Sequence, residues 1–208
     1  MAFSFFTNPG FYLISDTFLC DGQGVLFLLL KNLKQKVFFI TTPGQYSHYN
    51  YMFKKYSIQS YYCEISCNLD VGDLPLTEET PSTWLDAPRT LPISSLLSEF
   101  NKKPSPVVVI DDIHTILLET NEHDCVSFVN QLRSLCETLI IKTHKDTLKR
   151  LWVLEQASDF FLEASELQSG FTSEFQGKLK ISVKSDHVKT ETAHFWLKSS
   201  GDFYEILD

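Results

Sequence analysis

The stretch that decides the fold is Pro106-Val107-Val108-Val109-Ile110-Asp111-Asp112-Ile113-His114. Its four consecutive apolar residues, three of them Val, are typical of a strand that helices cover on both faces in a parallel sheet. Two carboxylates, Asp111 and Asp112, follow where such a strand would emerge. In open α/β sheets ligands collect at that carboxyl edge. We therefore predict a mainly parallel sheet flanked by helices.

An apolar strand that ends in Asp is also the Walker B pattern of P-loop ATPases, in which the carboxylate helps to hold Mg²⁺. The pattern is short, and any buried parallel strand followed by acidic loop residues satisfies it. A nucleotide site therefore requires a second motif, the Walker A loop G-x-x-x-x-G-K-S/T, elsewhere in the chain.

The place for a Walker A loop lies between a first strand at residues 11–14 and a helix at residues 25–33. In that motif a Lys contacts the β- and γ-phosphates and a hydroxyl contacts Mg²⁺. Here neither a Lys nor a Ser/Thr follows Gly22 and Gly24, and the carboxylate of Asp21 precedes them. A unit charge about 4 Å away contributes roughly 4 kcal/mol near a protein surface, so an acid in place of a cation opposes phosphate binding. We predict a degenerate P-loop, with no bound cofactor or metal.

The remaining pattern alternates strands and helices and predicts one domain over residues 1–208. Further strands are expected at residues 36–41, 61–66, 138–143 and 159–163, and helices at 46–56, 93–100, 120–135 and 148–154. The proline-containing segment 68–89 is expected to be a long surface loop. Residues 178–183, 194–197 and 203–207 are expected to close the chain as an antiparallel β ribbon.

Composition excludes several classes of protein. The chain has 208 residues, 43% of them hydrophobic, and a net charge of −8, which argues against nucleic-acid binding over the whole surface. Its five cysteines are odd in number and scattered, and no glycosylation acceptor occurs, as expected for a reducing compartment. The N-terminus lacks a basic signal-peptide region, and the apolar run at residues 25–30 is too short to span a membrane. We expect a soluble intracellular protein.

Other candidate site residues have a structural and a functional interpretation. His114 and His144 are either acid/base groups or satisfied structural histidines. Cys63 and Cys67 would be half of a zinc site, but no second pair follows. An aromatic stripe with helical spacing is either a packing face or a base-stacking platform; it consists of Tyr46, Tyr49, Phe53 and Tyr56. No catalytic constellation is present, so the sequence predicts a protein that is not an enzyme.

The order of these elements resembles a RecA-type ATPase core without its ATP chemistry. In detail it is similar to the family of Elongator subunit six; subunits four and five share the same core. The resemblance is carried by residues 13–22, Ser47-His48-Tyr49, Val107 to Asp112, residues 148–167, Gly170-Phe171, Gly177-x-Leu179-x-Ile181 and the terminal hairpin.

The resemblance implies a non-catalytic member of a six-membered ring, built with subunits four and five. That ring is an accessory of the Elongator assembly, which modifies the wobble uridine of transfer RNA through another subunit. A cytoplasmic protein with no membrane contact is implied, with the nucleus left open as a second compartment. Two alternatives also remain open: an active P-loop ATPase, and a RecA-like accessory protein of DNA repair.

One basic cluster is the candidate for contact with transfer RNA. Lys142, Lys145, Lys149 and Arg150 lie at or just after the end of a predicted strand. The segment 151–177 that follows contains five acids and no Lys or Arg. The cluster is therefore either a phosphate contact in the assembled ring or a solvated helix start that pairs with acidic residues.

Overall fold

The structure, a computed structural model, describes residues 7–18, 20, 22–42, 44–65, 89–166, 177–184, 189–197 and 203–206. Its strands are β1 (Gly10–Asp16), β2 (Val37–Thr41), β3 (Ser60–Ile65), β4 (Arg89–Leu91), β5 (Val107–Asp111), β6 (Thr138–His144), β7 (Phe160–Ser165), β8 (Gly177–Val183), β9 (Lys189–Leu197) and β10 (Phe203–Ile206). Its helices are α1 (Gln23–Leu33), α2 (Tyr46–Lys55), α3 (Ile93–Lys102), α4 (Ile113–Glu119), α5 (Glu122–Leu135), α6 (Lys145–Arg150) and α7 (Trp152–Ala157).

The strands form one sheet in the order β10-β9-β8-β7-β1-β6-β5-β2-β3-β4. From β7 to β4 every neighbouring pair is parallel. The pairs β7–β8, β8–β9 and β9–β10 are antiparallel and form the terminal ribbon. The predicted fold class is therefore confirmed: a mainly parallel sheet, flanked by helices, that ends in an antiparallel ribbon.

The alternating pleat divides the core into two layers, one on each face of the sheet. Val107 and Val109 of β5 face the layer that α1 and α2 cover. Val108 and Ile110 face the opposite layer, which contains apolar side chains from α3 to α7. All five residues of β5 are buried, as expected for a strand covered on both sides.

Several local predictions needed correction. The helix predicted at residues 148–154 is two short helices, α6 and α7, divided at Leu151. Helix α4 was not predicted; it begins directly after Asp112, whose side chain accepts a hydrogen bond from the backbone N–H of His114. Leu135, the last residue of α5, is 47% exposed. The predicted loop 68–89 lies outside the described residues, except that Arg89 begins β4.

The aromatic stripe on α2 packs into the core. Tyr49 and Phe53 are buried, and their ring centroids lie 4.6 Å and 5.0 Å from that of Phe39 on β2. These two rings are therefore covered by the sheet and do not form an open surface for bases. Across the described ranges, no helix is both long enough and apolar enough to cross a lipid bilayer.

Candidate functional site at the carboxyl edge of the sheet

Three charged side chains converge where β1, β5 and β6 end. Strand β6 lies between β1 and β5, and the register places Lys142 beside Ile14 on one side and beside Asp111 on the other. Because side chains alternate along a strand, Lys142 shares a face with Ile140, and Asp16 shares it with Ile14. Ile140 and Ile14 belong to the layer under α1 and α2. The charges therefore meet beneath these two helices.

Lys142 bridges the two carboxylates. Its Nζ lies 3.1 Å from Asp111 Oδ1 and 3.7 Å from Asp16 Oδ2. The Lys142 side chain is only 12% exposed, and those of Asp16 and Asp111 are 1% and 7% exposed. Charges this deep require close partners, because removing one partner leaves an uncompensated buried charge at a cost of about 3–5 kcal/mol. The three residues form a compact ion network.

Asp16 also occupies the N-terminus of α1. Its Oδ2 accepts a hydrogen bond of 3.0 Å from the backbone N–H of Gly22, the N-cap residue of that helix. The contact is close: a Cβ on Gly22 would lie 2.8 Å from Ile14 Cγ2 and 3.4 Å from Asp16 Oδ2. A helix N-terminus favours an anion through its exposed N–H groups and its dipole. Here that anion is the protein's own carboxylate.

The outer oxygens of the network are covered by polar side chains. Tyr49 on α2 donates its hydroxyl hydrogen bond to Asp111, and Gln23 on α1 donates from Nε2 to the Tyr49 oxygen over 3.2 Å. His144 Nδ1 lies 2.6 Å from Asp16 Oδ1 at the exposed rim of the site. Helices α1 and α2 are thus joined to the strand ends through Asp16 and Asp111.

These residues do not fit a magnesium–nucleotide group. The amide that would face a phosphate is bound to Asp16, and the carboxylate that would face Mg²⁺, Asp111, is bound to Lys142 and Tyr49. Gly24 is buried inside the first turn of α1. Asp21, on which the sequence prediction relied, lies outside the described residues. Within the described ranges, no group of three or more His, Cys, Asp or Glu side chains is arranged to hold a metal ion.

The second carboxylate, Asp112, has a separate local role. It caps α4, where its Oδ1 accepts from the backbone N–H of His114 over 3.0 Å. Burial raises the pKa of Asp112, and the neighbouring Asp111 charge raises it further, while the His114 hydrogen bond opposes both. His114 itself contacts Thr147 on α6, with 3.1 Å between Nδ1 and the hydroxyl oxygen. Both side chains thus stabilise the turn that follows β5.

The cysteines do not provide a nucleophile among the described residues. Burial raises the pKa of Cys125 to about 12 and that of Cys136 to about 11, so both are thiols at neutral pH. Cys20 and Cys63 are buried and are not part of a disulfide. Cys67 lies outside the described residues.

The structure separates the four residues of the predicted RNA-contact cluster. Lys142 belongs to the buried network, whereas the other three are exposed. Lys145 pairs with Glu163 at 2.8 Å, Lys149 with Asp146 at 2.7 Å, and Arg150 with Glu122 at 2.9 Å. Each of these cations has an acid from the same chain beside it. Contact between this cluster and transfer RNA stays a prediction.

Comparisons with known proteins identify the fold through structure alone. FlaH, a flagellar accessory protein from Methanocaldococcus jannaschii, is similar to this chain with a TM-score of 0.61 and 12% identity, over 97% of this chain and 92% of that one. The RadB recombinase is similar with a TM-score of 0.59 and 10% identity, over 97% and 93%. The fold is RecA-like. No family model and no curated protein sequence matches the chain.

In this RecA-like fold, sequence reasoning missed two residues of the site. The sequence places Asp16 in the loop after the first strand, and Tyr49 in an aromatic stripe that is either a packing face or a base-stacking platform. A signal for Asp16 was present: it lies at an even spacing from Tyr12 and Ile14, so a strand extended by two residues places it on the same face. For Tyr49 there was no comparable signal, because only the packing of α2 on the sheet directs its hydroxyl to Asp111.

Proposed function

We propose that this chain is a non-catalytic structural subunit of the Elongator complex, the counterpart of subunit six, in a RecA-like ring with subunits four and five. In that role it supports the modification of wobble uridine in transfer RNA without carrying out the chemistry. The resemblance in sequence supplies the family, and the RecA-like fold supplies the ring-forming scaffold. One observation carries the non-catalytic part: Asp16 binds the Gly22 amide at the helix N-terminus where an ATPase would bind phosphate.

The physical argument against nucleotide binding has two steps. A phosphate would have to displace a carboxylate that is 1% exposed and held by the Gly22 amide and Lys142. It would then meet the residual negative charges of Asp16 and Asp111, with a single buried lysine to balance them. Both steps are unfavourable, because a buried charge without its partner costs several kcal/mol. We therefore expect no ATP binding and no hydrolysis by the isolated chain.

Calorimetric titration of the purified chain with Mg-ATP tests the non-catalytic part. We expect no measurable binding heat, because Asp16 occupies the helix N-terminus at which a phosphate would bind. Micromolar affinity, or hydrolysis above a buffer control, would contradict the proposal and favour the active P-loop ATPase.

Co-expression tests the proposed assembly. We expect a tagged copy of this chain to recover Elongator subunits four and five and then the remaining subunits, whereas the tag alone recovers none.

The similarity to the RadB recombinase gives a second candidate, a RecA-like accessory protein of DNA repair. Recovery of recombination proteins in place of Elongator subunits would favour that candidate. A chain that is monodisperse and monomeric at high concentration would count against ring assembly.

A further inference from the structure

The opposite edge of the sheet, where strands begin, collects positive charge. Helices α1, α2 and α3 all end there, and the chain then enters β2, β3 and β5, which are adjacent in the order β5-β2-β3. Seven lysines lie in or just after the C-terminal turns of these helices, and we call them the lysine edge: Lys31, Lys34, Lys36, Lys54, Lys55, Lys102 and Lys103. They are seven of the 18 basic residues in a chain of net charge −8.

The lysines of this edge are close to one another in space. Lys31 and Lys55, from different helices, both lie over the ring of Tyr56, with Nζ 5.6 Å and 5.5 Å from its centroid. Burial lowers the pKa of Lys36, and the positive charge of Lys103 lowers it further. The edge is therefore continuous from α1 and α2 on one face of the sheet to α3 on the other.

Four of the seven lysines have no acidic partner among the described residues. Within the described ranges, Lys31, Lys34, Lys54 and Lys55 form no ion pair. Lys102 is paired: its Nζ lies 3.2 Å from Glu99, which also accepts a 2.6 Å hydrogen bond from the Tyr61 hydroxyl. Helix dipoles favour a lysine at each C-terminus. That preference alone does not explain why seven lysines from three helices gather where neighbouring strands begin.

A cleft opens within the lysine edge. Its volume is about 380 Å³, within the roughly 300–1,000 Å³ typical of ligand sites. Lys36 and Lys54 are among its lining residues, Phe53 and Ile58 supply apolar lining, and polar residues complete it: Ser57, Gln59 and Ser60. On the α3 side, Lys103 Nζ lies 4.1 Å from the ring centroid of Tyr61. Lysines around a cleft suit the phosphates of a nucleic acid, and the partly exposed ring of Tyr56 is available to stack on a base.

We propose that the lysine edge binds the phosphate backbone of a nucleic acid, which in the proposed function is transfer RNA. The choice of transfer RNA rests on that function; the choice of a nucleic acid rests on the charges, rings and cleft. Lysine ammonium groups bind phosphates as point charges, and each phosphate neutralised releases counterions, so binding must weaken as salt rises. This places the RNA contact at the opposite edge from Lys142, Lys145, Lys149 and Arg150.

The test compares two triple variants with the same change in charge. The first replaces Lys31, Lys54 and Lys55 with Gln, and the matched control replaces Lys145, Lys149 and Arg150 with Gln. Each full chain is fused to a solubilising carrier that does not bind RNA, and affinity for a fluorescein-labelled transfer RNA transcript is measured over a series of salt concentrations. Thermal unfolding of each variant confirms that it is folded.

We expect the first variant to lose roughly tenfold or more in affinity and its salt slope to fall by about two, since each phosphate contributes somewhat under one. The control should retain the wild-type slope. Equal losses in both variants, or a loss confined to the control, would overturn the proposal. Displacement of the RNA by polyglutamate at equal charge concentration would also overturn it, because the edge would then be a surface for acidic proteins.

The RNA-binding test and the test of the proposed assembly can fail independently of each other. Failure to recover Elongator subunits, with RNA binding lost in the first variant, would contradict the assembly and keep the nucleic-acid site. Recovery of the subunits, with unchanged RNA affinity in the first variant, would keep the assembly and contradict the site.

Discussion

The two edges of the sheet hold their charges in opposite ways. At the carboxyl edge, Lys142 lies between Asp16 and Asp111, and all three are largely buried. At the amino edge, Lys54 and Lys55 are exposed and have no ion pair within the described ranges. The edge at which open α/β sheets collect ligands is thus filled by the protein's own side chains. The unbalanced charge lies at the other end of the strands.

This difference shows how one residue type serves two purposes. A buried lysine has lost its hydration and must recover that free energy from close carboxylates, so it contributes to folding and is unavailable to a ligand. An exposed lysine keeps its water and releases counterions when a polyanion binds. Burial, rather than local sequence, therefore decides whether a cation of this chain stabilises the fold or is available for binding.

The largest expected effect comes from breaking the buried network. Replacing Lys142 with Met should lower the free energy of unfolding by about 3–5 kcal/mol, because Asp16 and Asp111 would remain buried without their cation. Urea denaturation monitored by circular dichroism measures this change.

Lys145→Met is the matched control. Lys145 pairs with Glu163 at 2.8 Å, but its side chain is 55% exposed, so its loss should cost less than about 1 kcal/mol. If the two substitutions have similar effects, the Asp16–Lys142–Asp111 network does not hold the strand ends together.

A smaller effect should separate the two neighbouring carboxylates after β5. Asp112→Ala removes the N-cap of α4 and should cost about 1 kcal/mol, whereas Asp112→Asn keeps a capping oxygen and should cost less. Asp111→Ala should cost more than either, since Asp111 contacts Lys142 and Tyr49. Urea unfolding of the three variants tests this order, and equal losses would contradict it. For ring assembly and tRNA modification, the sequence predicts only mild effects of Asp111→Ala and Asp112→Ala.

The Asp112→Asn variant also has an expected pH dependence. Because the folded pKa of Asp112 is raised above its usual 3.8, the folded protein binds this proton more tightly than the unfolded chain. The protonated Asp112 carboxyl therefore stabilises the folded protein below pH 3.8, and this stabilisation is lost as the pH rises through the raised pKa. The Asn variant lacks this loss, so its stability relative to wild type should increase from acidic to neutral pH. A difference that stays constant with pH would contradict the raised pKa.

The smallest effect is expected at the lysine edge. Replacing Lys54 and Lys55 with Gln should change the free energy of unfolding by no more than about 0.5 kcal/mol, because both side chains are exposed. Added salt should reduce even this difference, since the screening length falls from about 10 Å at 0.1 M to 3 Å at 1 M. Unfolding curves at low and high salt provide the measurement. A loss above about 1 kcal/mol would mean that these charges are structural.

Much of the fold followed from local pattern. Val107 to Ile110 is apolar at every position, so it had to be covered on both faces, and that requirement predicts a parallel sheet between helices. The alternation of Leu179 and Ile181 with lysines predicts the terminal ribbon, and both apolar side chains are buried in β8. The missing Lys and hydroxyl after Gly24 predict a degenerate P-loop. These features depend on neighbours in the chain, which a sequence displays directly.

The sites depended on contacts between distant residues. Lys142 looks like part of a basic cluster with Lys145, Lys149 and Arg150, but the order β1-β6-β5 places it between two carboxylates from other strands. The lysine edge is the opposite case, because its residues do not form a cluster in the sequence. Residues 22–63 contain five lysines and no acid, a signal that is visible in the sequence but spread over two helices and two strands.

Most of the strands and helices, the parallel pairing in the body of the sheet and the missing cation of the P-loop are apparent in the sequence. Those properties follow from the spacing of apolar residues and from the identity of a few loop residues. Only the tertiary structure decided which carboxylate fills the helix N-terminus, which lysine is buried, and which lysines gather at one edge. The reason is physical: the energy of a charge depends on burial and on partners within a few ångströms, and strand order and register set both.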